Sequence, residues 1–284
     1  MDNRTGFRRR GHAYLAQQAR TALGVTGETQ RLAEIPLPLM HAALGAAVCA
    51  VALLLRPQIL GFGNSAVASA ALATLTGAVL VGYDYVVYPA KQRPGVAGTT
   101  LPVAAVASFA TVLAGVPALS VRIVAGMIAS LVIGAVPYLA ARRASGREGW
   151  FGRLLRDLAG IAVLAPVLVA GVSPLLPQPT RVGLVGVITA LVSFDALRSD
   201  PLHGVRAFPA ALGIGAVMAG AAAGVGISSA PGTRAAALLV LWYGLRGFAG
   251  ALAGGTGRRG LTVVEYVTFV LVAGGALSWI AARA

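Results

Sequence analysis

The chain has 284 residues, of which 57% are hydrophobic and 11% are charged, with a mean hydropathy of +0.79. This composition excludes a water-soluble domain, because too little polar surface is available to cover the fold, and it predicts a polytopic membrane protein. The net charge of +14 is explained by basic loops and by attraction to anionic lipid headgroups, so no nucleic-acid partner is expected.

The first 35 residues are the only long polar segment of the chain. Arginines mixed with apolar residues at helical spacing predict an amphipathic helix at the cytoplasmic membrane surface. Residues 36–284 are predicted to form a transmembrane domain of nine helices, because they contain nine apolar runs of about 17 to 25 residues, the length that crosses a bilayer. The runs lie near residues 37–55, 65–88, 101–119, 121–141, 157–176, 182–197, 208–228, 234–253 and 262–281.

The basic residues predict an orientation for these spans. With nine spans, 18 of the 23 Lys and Arg residues fall in the N-terminal tail or on one set of alternating loops. Such loops stay on the cytoplasmic side, so the N-terminus is expected inside and the C-terminus outside, in a membrane of the bacterial inner type. The opposite side carries one basic residue per loop or tail: Arg56, Arg122, Arg181, Arg234 and Arg283. Trp150 and Trp242 are expected to anchor the interface.

Acidic residues are scarce, with nine in the whole chain, and four of them fall at the inner ends of predicted spans. The four are Asp84, Asp157, Asp195 and Asp200. An ionised Asp at the bilayer centre costs about 2.5 to 3.5 kcal/mol, so such acids usually face a cavity or a partner. Asp157 is expected to pair with Arg153 or Arg156 of its own helix. The other three stand near basic residues, a combination that suits a magnesium diphosphate site.

Two stretches carry this candidate chemistry. The second, residues 195–213 (DALRSDPLHGVRAFPAALG), resembles the second aspartate motif of the UbiA superfamily of intramembrane prenyltransferases. In that motif the last Asp, here Asp200, is followed by a Gly four residues on, a basic residue, a Pro and an apolar ending with Gly. The first stretch is similar to the family's first motif, in which the last Asp precedes an Arg-Pro pair by nine residues, as Asp84 precedes Arg93.

The resemblance extends over most of residues 40–281, with a further likeness in the segment from Pro137 to Gly160. Some motif positions differ from the family. Thr76 and Leu80 stand where its first motif carries Asn and Asp, and Ala196 stands where its second motif carries a further Asp.

The resemblance implies an all-α fold of nine membrane helices in two groups around one lipid-facing cavity. It implies that Mg²⁺ is held by Asp84 and Asp200, and by Asp195 if that side chain reaches the metal. The diphosphate would be bound by Lys91, Arg93 and Arg206. The tyrosines Tyr83, Tyr85 and Tyr88 would face a carbocation, or would instead form part of an aromatic belt at the interface.

The expected function is transfer of a prenyl group from an isoprenyl diphosphate to a hydrophobic or aromatic acceptor. A terpene cyclase on the same scaffold is one alternative. Another is a non-catalytic protein that binds lipid or pigment within a larger membrane complex. A secondary transporter is disfavoured, because Pro and Gly concentrate at the ends of the spans and not at midplane breaks.

Overall fold

The computed structural model describes residues 65–90, 93–114, 118–144, 149–174, 176–199, 207–225, 231–253 and 259–281, with a few isolated positions between 43 and 50. Backbone contacts divide the chain into residues 1–40 and 41–284, and the described residues all belong to the second unit. The expected amphipathic segment 1–35 lies outside the described residues, as does nearly all of the first expected span.

The described residues form eight α-helices and contain no strand. They are α1 (Ser65–Val87), α2 (Gly95–Ala114), α3 (Leu119–Ala144), α4 (Trp150–Gly171), α5 (Gln178–Ser199), α6 (Ala207–Val225), α7 (Pro231–Ala253) and α8 (Arg259–Ala281). Each helix overlaps one of the predicted spans, so the all-α fold class is confirmed for this part of the chain.

Six of the described helices, α1 and α3 to α7, are long and apolar enough to cross a membrane. The apolar stretches of α2 and α8 are shorter, at Gly98–Val112 and Val263–Ala276. Many large apolar side chains on these helices are exposed, among them Leu131 and Leu271. Exposed apolar surface of this extent is normal against lipid and unusual against water. The helices therefore indicate a protein embedded in a membrane.

Helices α2, α4 and α5 form the centre of the bundle. Helix α2 packs against α1, α3, α4 and α5, and α4 packs in addition against α5, α6 and α7. Helix α1 packs on α2, and α8 packs on α7. Among the fully buried side chains at the centre are Leu164 and Leu168 of α4, Ile188 of α5 and Met218 of α6.

The backbones of α5 and α6 approach each other closely. A Cβ atom added to Gly215 would lie 2.6 Å from the carbonyl oxygen of Gly186, and one added to Gly186 would lie 3.1 Å from the Cβ atom of Ala219. Small residues allow such contact between backbones, which is how helices associate in lipid without a hydrophobic driving force.

Helix α2 begins six residues before the predicted span, directly after Arg93 and Pro94. Gly95, the first residue of α2, has a φ of +58°, in the left-handed region that favours glycine. The turn brings the start of α2 to the end of α3, where Gly98 approaches Ala140. This local geometry places the first turns of α2 beside the last turns of α3.

Candidate functional site

Buried charges meet at one end of the bundle. The helices are antiparallel neighbours, so the ends of α1, α3, α5 and α7 lie beside the starts of α2, α4, α6 and α8. Contacts from Thr100 to Asp195 and from Asp157 to Arg246 each join the start of one helix to the end of another. We call this end of the bundle the charged end. It carries the charge cluster Arg143, Arg156, Asp157, Asp195 and Arg246.

Asp195 lies at the centre of this cluster, with 2% of its surface exposed. The hydroxyl of Thr100 donates a hydrogen bond to its Oδ1 atom at 3.4 Å. The positive charges of Arg156, Arg143 and Arg246 also act on this carboxylate. A carboxylate can remain buried in an apolar bundle when hydrogen bonds and opposite charges compensate its lost hydration.

A small cleft with charged and apolar walls opens beside Asp195. Its charged walls are Arg156 and Asp157 of α4, Asp195 of α5 and Arg246 of α7, and Trp242 forms part of its apolar lining. The cleft has room for about one water-sized group in this conformation. A larger ligand could therefore enter only if some of the surrounding side chains moved.

An ion pair between α4 and α7 borders the cleft. The Nη2 atom of Arg246 lies 2.9 Å from Oδ1 of Asp157, and the two side chains are 13% and 45% exposed, respectively. The sequence placed the partner of Asp157 on its own helix, whereas the structure places it on α7. The difference arises because the tertiary packing of α4 on α7 brings the two charges together.

The Trp242 ring lies next to this ion pair. Its ring lies 5.8 Å from the Arg246 guanidinium, and its Nε1 atom donates a hydrogen bond to the Ser193 hydroxyl at 2.9 Å. The expectation that Trp242 anchors the interface is wrong, because the side chain is only 1% exposed. Trp150 is 76% exposed at the start of α4, which is compatible with an interfacial position.

The first sequence stretch forms a second polar cluster at the charged end. Asp84 and Tyr88 are both buried, at the end of α1 and just beyond it. The charge of Asp84 acts on Tyr83 and on Tyr88, and Tyr138 of α3 also lies near Tyr88. Burial first, and the neighbouring Asp84 charge second, raise the pKa of Tyr88 well above its usual value. The Tyr88 phenol therefore stays protonated at neutral pH.

Arg93 contacts both the buried cluster and the exposed Tyr85 ring. Its guanidinium lies 3.9 Å from the centre of the Tyr85 ring, and its Nε atom donates a hydrogen bond to the Tyr88 carbonyl at 3.3 Å. Tyr85 is 64% exposed, so Tyr85 and Tyr88 face different surroundings. The expected roles of the three tyrosines, facing a carbocation or belonging to an interfacial belt, both stay predictions.

The structure places only some of the predicted site residues. Asp84, Asp195 and Arg93 lie at the charged end, whereas Asp200, Lys91 and Arg206 lie outside the described residues. Within the described ranges, no three His, Cys, Asp or Glu side chains come together as a metal-binding group. Because Asp200 is not among these residues, the assignment of Mg²⁺ to the three aspartates stays a prediction.

Sequence reasoning missed Arg156 and Arg246 as site residues. The charge pattern places both among the basic residues that set the orientation, and the scarcity that indicates a site applies only to the acids. The available signal was Arg246, which stands inside a predicted span, 234–253, where an arginine is expensive unless it has a local role.

Comparisons with protein-family models, with curated proteins and with solved structures find no match for this chain.

Proposed function

We propose that this protein is an intramembrane prenyltransferase of the UbiA type, with nine membrane helices. It would transfer a prenyl group from an isoprenyl diphosphate to a hydrophobic or aromatic acceptor. The observation that carries the proposal is the position of Asp84 and Asp195, two buried carboxylates from the two motif stretches, at the same end of an apolar helical bundle.

The proposal places the charged end on the cytoplasmic side, with the N-terminus inside and the C-terminus outside. Diphosphates are water-soluble anions, so a site at the end of the bundle can receive them while the prenyl chain lies among apolar helices. Lys91, Arg93 and Arg206 would neutralise the departing diphosphate, which is where electrostatic stabilisation contributes most to such a reaction. The allylic cation left behind would be captured by the acceptor.

Asp84 is a more suitable ligand for Mg²⁺ than Asp195. The ion commonly takes one or two protein carboxylates beside substrate phosphates and keeps several waters. Asp84 meets that requirement, and Asp84 with Asp200 would hold the ion. Asp195 is the less suitable ligand, because three arginines already act on it and would oppose a further cation. When bound, Mg²⁺ supplies positive charge that stabilises the diphosphate leaving group.

Diphosphate release tests the proposal. We expect the full-length protein, purified in detergent and supplied with a hydrophobic or aromatic acceptor, to release diphosphate from labelled farnesyl or geranylgeranyl diphosphate only when Mg²⁺ is present. Release should fall to the background rate in Asp84→Asn and in Asp200→Asn. Glu265→Gln is the matched control, because Glu265 is an exposed acid on α8, and it should retain activity. Equal release by all four proteins would contradict the proposal.

A non-catalytic lipid-binding or pigment-binding protein of a membrane complex is the second candidate. The observation that favours it is the small size of the cleft beside Asp195, which an ion pair borders. Its signature would be binding of isoprenoid without release of diphosphate under any metal condition. A terpene cyclase would instead release diphosphate in the absence of an acceptor and form a cyclic hydrocarbon or alcohol, which product analysis detects.

A further inference from the structure

Arg156 is the most deeply placed cation that lines the cleft. It extends from α4 with 5% of its surface exposed, among apolar helices where a guanidinium is expensive to bury. Arg153, one turn earlier on the same helix, is exposed. The buried position of Arg156 therefore differs from that of an arginine that serves only to orient the protein in the membrane.

Among the described residues around the cleft, positive charges outnumber negative ones. Arg143, Arg156 and Arg246 act on Asp195, and Asp157 is the one other acid of the charge cluster. Within the described charge cluster, three positive charges accompany two negative ones, which favours an anion over a metal ion as the ligand of this cleft. Arginine is also the residue whose planar fork matches a phosphate group with two parallel hydrogen bonds.

The ion pair beside the cleft joins an exposed acid to a largely buried arginine. Asp157 is 45% exposed, whereas Arg246 is 13% exposed and lines the cleft. An exposed carboxylate that loses its partner is rehydrated, so release of Asp157 carries a small penalty of the kind known for surface ion pairs. Its release would leave the Arg246 guanidinium facing the cleft and would widen the opening.

We propose that Arg156 and Arg246 form a phosphate-binding subsite that needs no metal ion, in which Arg246 exchanges Asp157 for an oxygen of the ligand. The ligand is the phosphate or diphosphate group of an anionic molecule, either free or carried by a lipid. The subsite deepens the proposed function and rests on it for the suggestion that the natural ligand is an isoprenyl diphosphate.

Binding of inorganic pyrophosphate in EDTA tests this subsite. Isothermal titration of the full-length protein in detergent should detect binding, and Arg156→Gln should weaken it about tenfold to a hundredfold, the loss expected for hydrogen bonds to a charged group. Asp157→Asn should strengthen it by up to about fivefold, because Arg246 no longer has a competing carboxylate. Arg153→Gln removes the same charge one turn away and should leave the affinity nearly unchanged.

The opposite signs guard against misfolding as an explanation, because a misfolded variant does not bind more tightly. Arg246→Gln, at a more exposed position, should also weaken binding and gives a second reading if Arg156→Gln is unstable. No binding in EDTA by wild-type protein, of pyrophosphate or of phosphatidic acid, would overturn the subsite. Equal affinities of wild type, Arg156→Gln and Asp157→Asn would overturn it as well.

Two further experiments distinguish a lipid phosphate from a free phosphate, and the phosphate subsite from the prenyltransferase proposal. Nanodiscs containing phosphatidic acid, compared with phosphatidylcholine alone, test for a lipid phosphate, and competition by pyrophosphate places both ligands at one subsite. Binding that requires Mg²⁺ would overturn the subsite and leave the prenyltransferase proposal intact. Binding in EDTA, with no diphosphate release when Mg²⁺ is added, would support the subsite and contradict the prenyltransferase.

Discussion

At the scale of single residues, Trp242 links the charge cluster to the centre of the bundle through its hydrogen bond to Ser193. We expect Trp242→Phe to lower the free energy of unfolding by about 0.6 kcal/mol more than it does when Ser193 is already alanine, the average for a hydrogen bond between membrane helices. The measurement is a double-mutant cycle with Ser193→Ala, by unfolding in mixed micelles. Trp150→Phe is the control at an exposed position, and a coupling of zero would show that this hydrogen bond does not stabilise the protein.

Asp195 has a stabilising role that can be separated from metal binding. Its removal leaves the positive charges of Arg156, Arg143 and Arg246 facing one another without the carboxylate between them. Breaking a buried set of charges in this way typically costs about 3 to 5 kcal/mol. We therefore expect Asp195→Asn to unfold at a markedly lower temperature than wild type in EDTA, whereas Glu265→Gln unfolds near the wild-type temperature. A wild-type unfolding temperature for Asp195→Asn would contradict this role.

These residues also mark what the sequence could predict about the site. The scarcity of acids pointed to Asp84 and Asp195, because each unpaired carboxylate in lipid is costly and so implies a partner. It could not identify the partners: Thr100 and Arg246 are 95 and 51 residues away from Asp195 along the chain, and only the packing of α2 and α7 on α5 brings them close. The motif pattern predicts candidate residues within each stretch, but it does not predict which residues of other helices contact them.

At the scale of helices, the contact between α5 and α6 depends on glycine. A methyl group on Gly215 would collide with the Gly186 carbonyl oxygen and with Ala190, whereas one on Gly213 of the same helix would meet no atom within 4 Å. We expect Gly215→Ala to destabilise the protein by about 1 to 3 kcal/mol, as overpacking typically does. Gly213→Ala should be neutral, or stabilising by up to about 1 kcal/mol through helix propensity. Unfolding of both variants in mixed micelles checks this pair, and equal stabilities would show that the contact between the two helices accommodates an added methyl group.

Helix starts are predicted well where the first turns are apolar and poorly where the first turns carry polar residues. Helix α1 matches its predicted span to within one residue, at Ser65–Val87. Helix α2 begins at Gly95 and α4 at Trp150, six and seven residues before the predicted spans. Hydropathy stopped short because the first turns carry Thr100 and Arg156, whose polarity is used in contacts between helices. Composition along one segment contains no information about such partners.

At the scale of the whole molecule, the two ends of the bundle differ in charge. Most of the described arginines lie at or near the charged end: Arg93, Arg142, Arg143, Arg153, Arg156, Arg198, Arg246 and Arg259. The other end carries Arg122, Arg181 and Arg234. Basic residues close to membrane spans are retained on the cytoplasmic side. The same asymmetry would concentrate a diphosphate near the cleft and Asp84, because a positively charged surface raises the local concentration of anions. The excess of basic residues at the charged end is thus predicted to set the orientation in the membrane and to attract the ligand.

Cysteine accessibility measures this orientation. The chain has one cysteine, so Cys49→Ala gives a background without thiols. In that background Gly149→Cys places a thiol at the charged end, just before α4, and Ala118→Cys places one at the opposite end, just before α3; both positions are exposed. If the charged end is cytoplasmic, a membrane-impermeant maleimide should label Ala118→Cys in intact cells and Gly149→Cys only after permeabilisation. The reverse pattern would place the buried aspartates and the arginine cleft on the outer face, where a cytoplasmic isoprenyl diphosphate could not reach them, and it would contradict the proposed function together with the orientation.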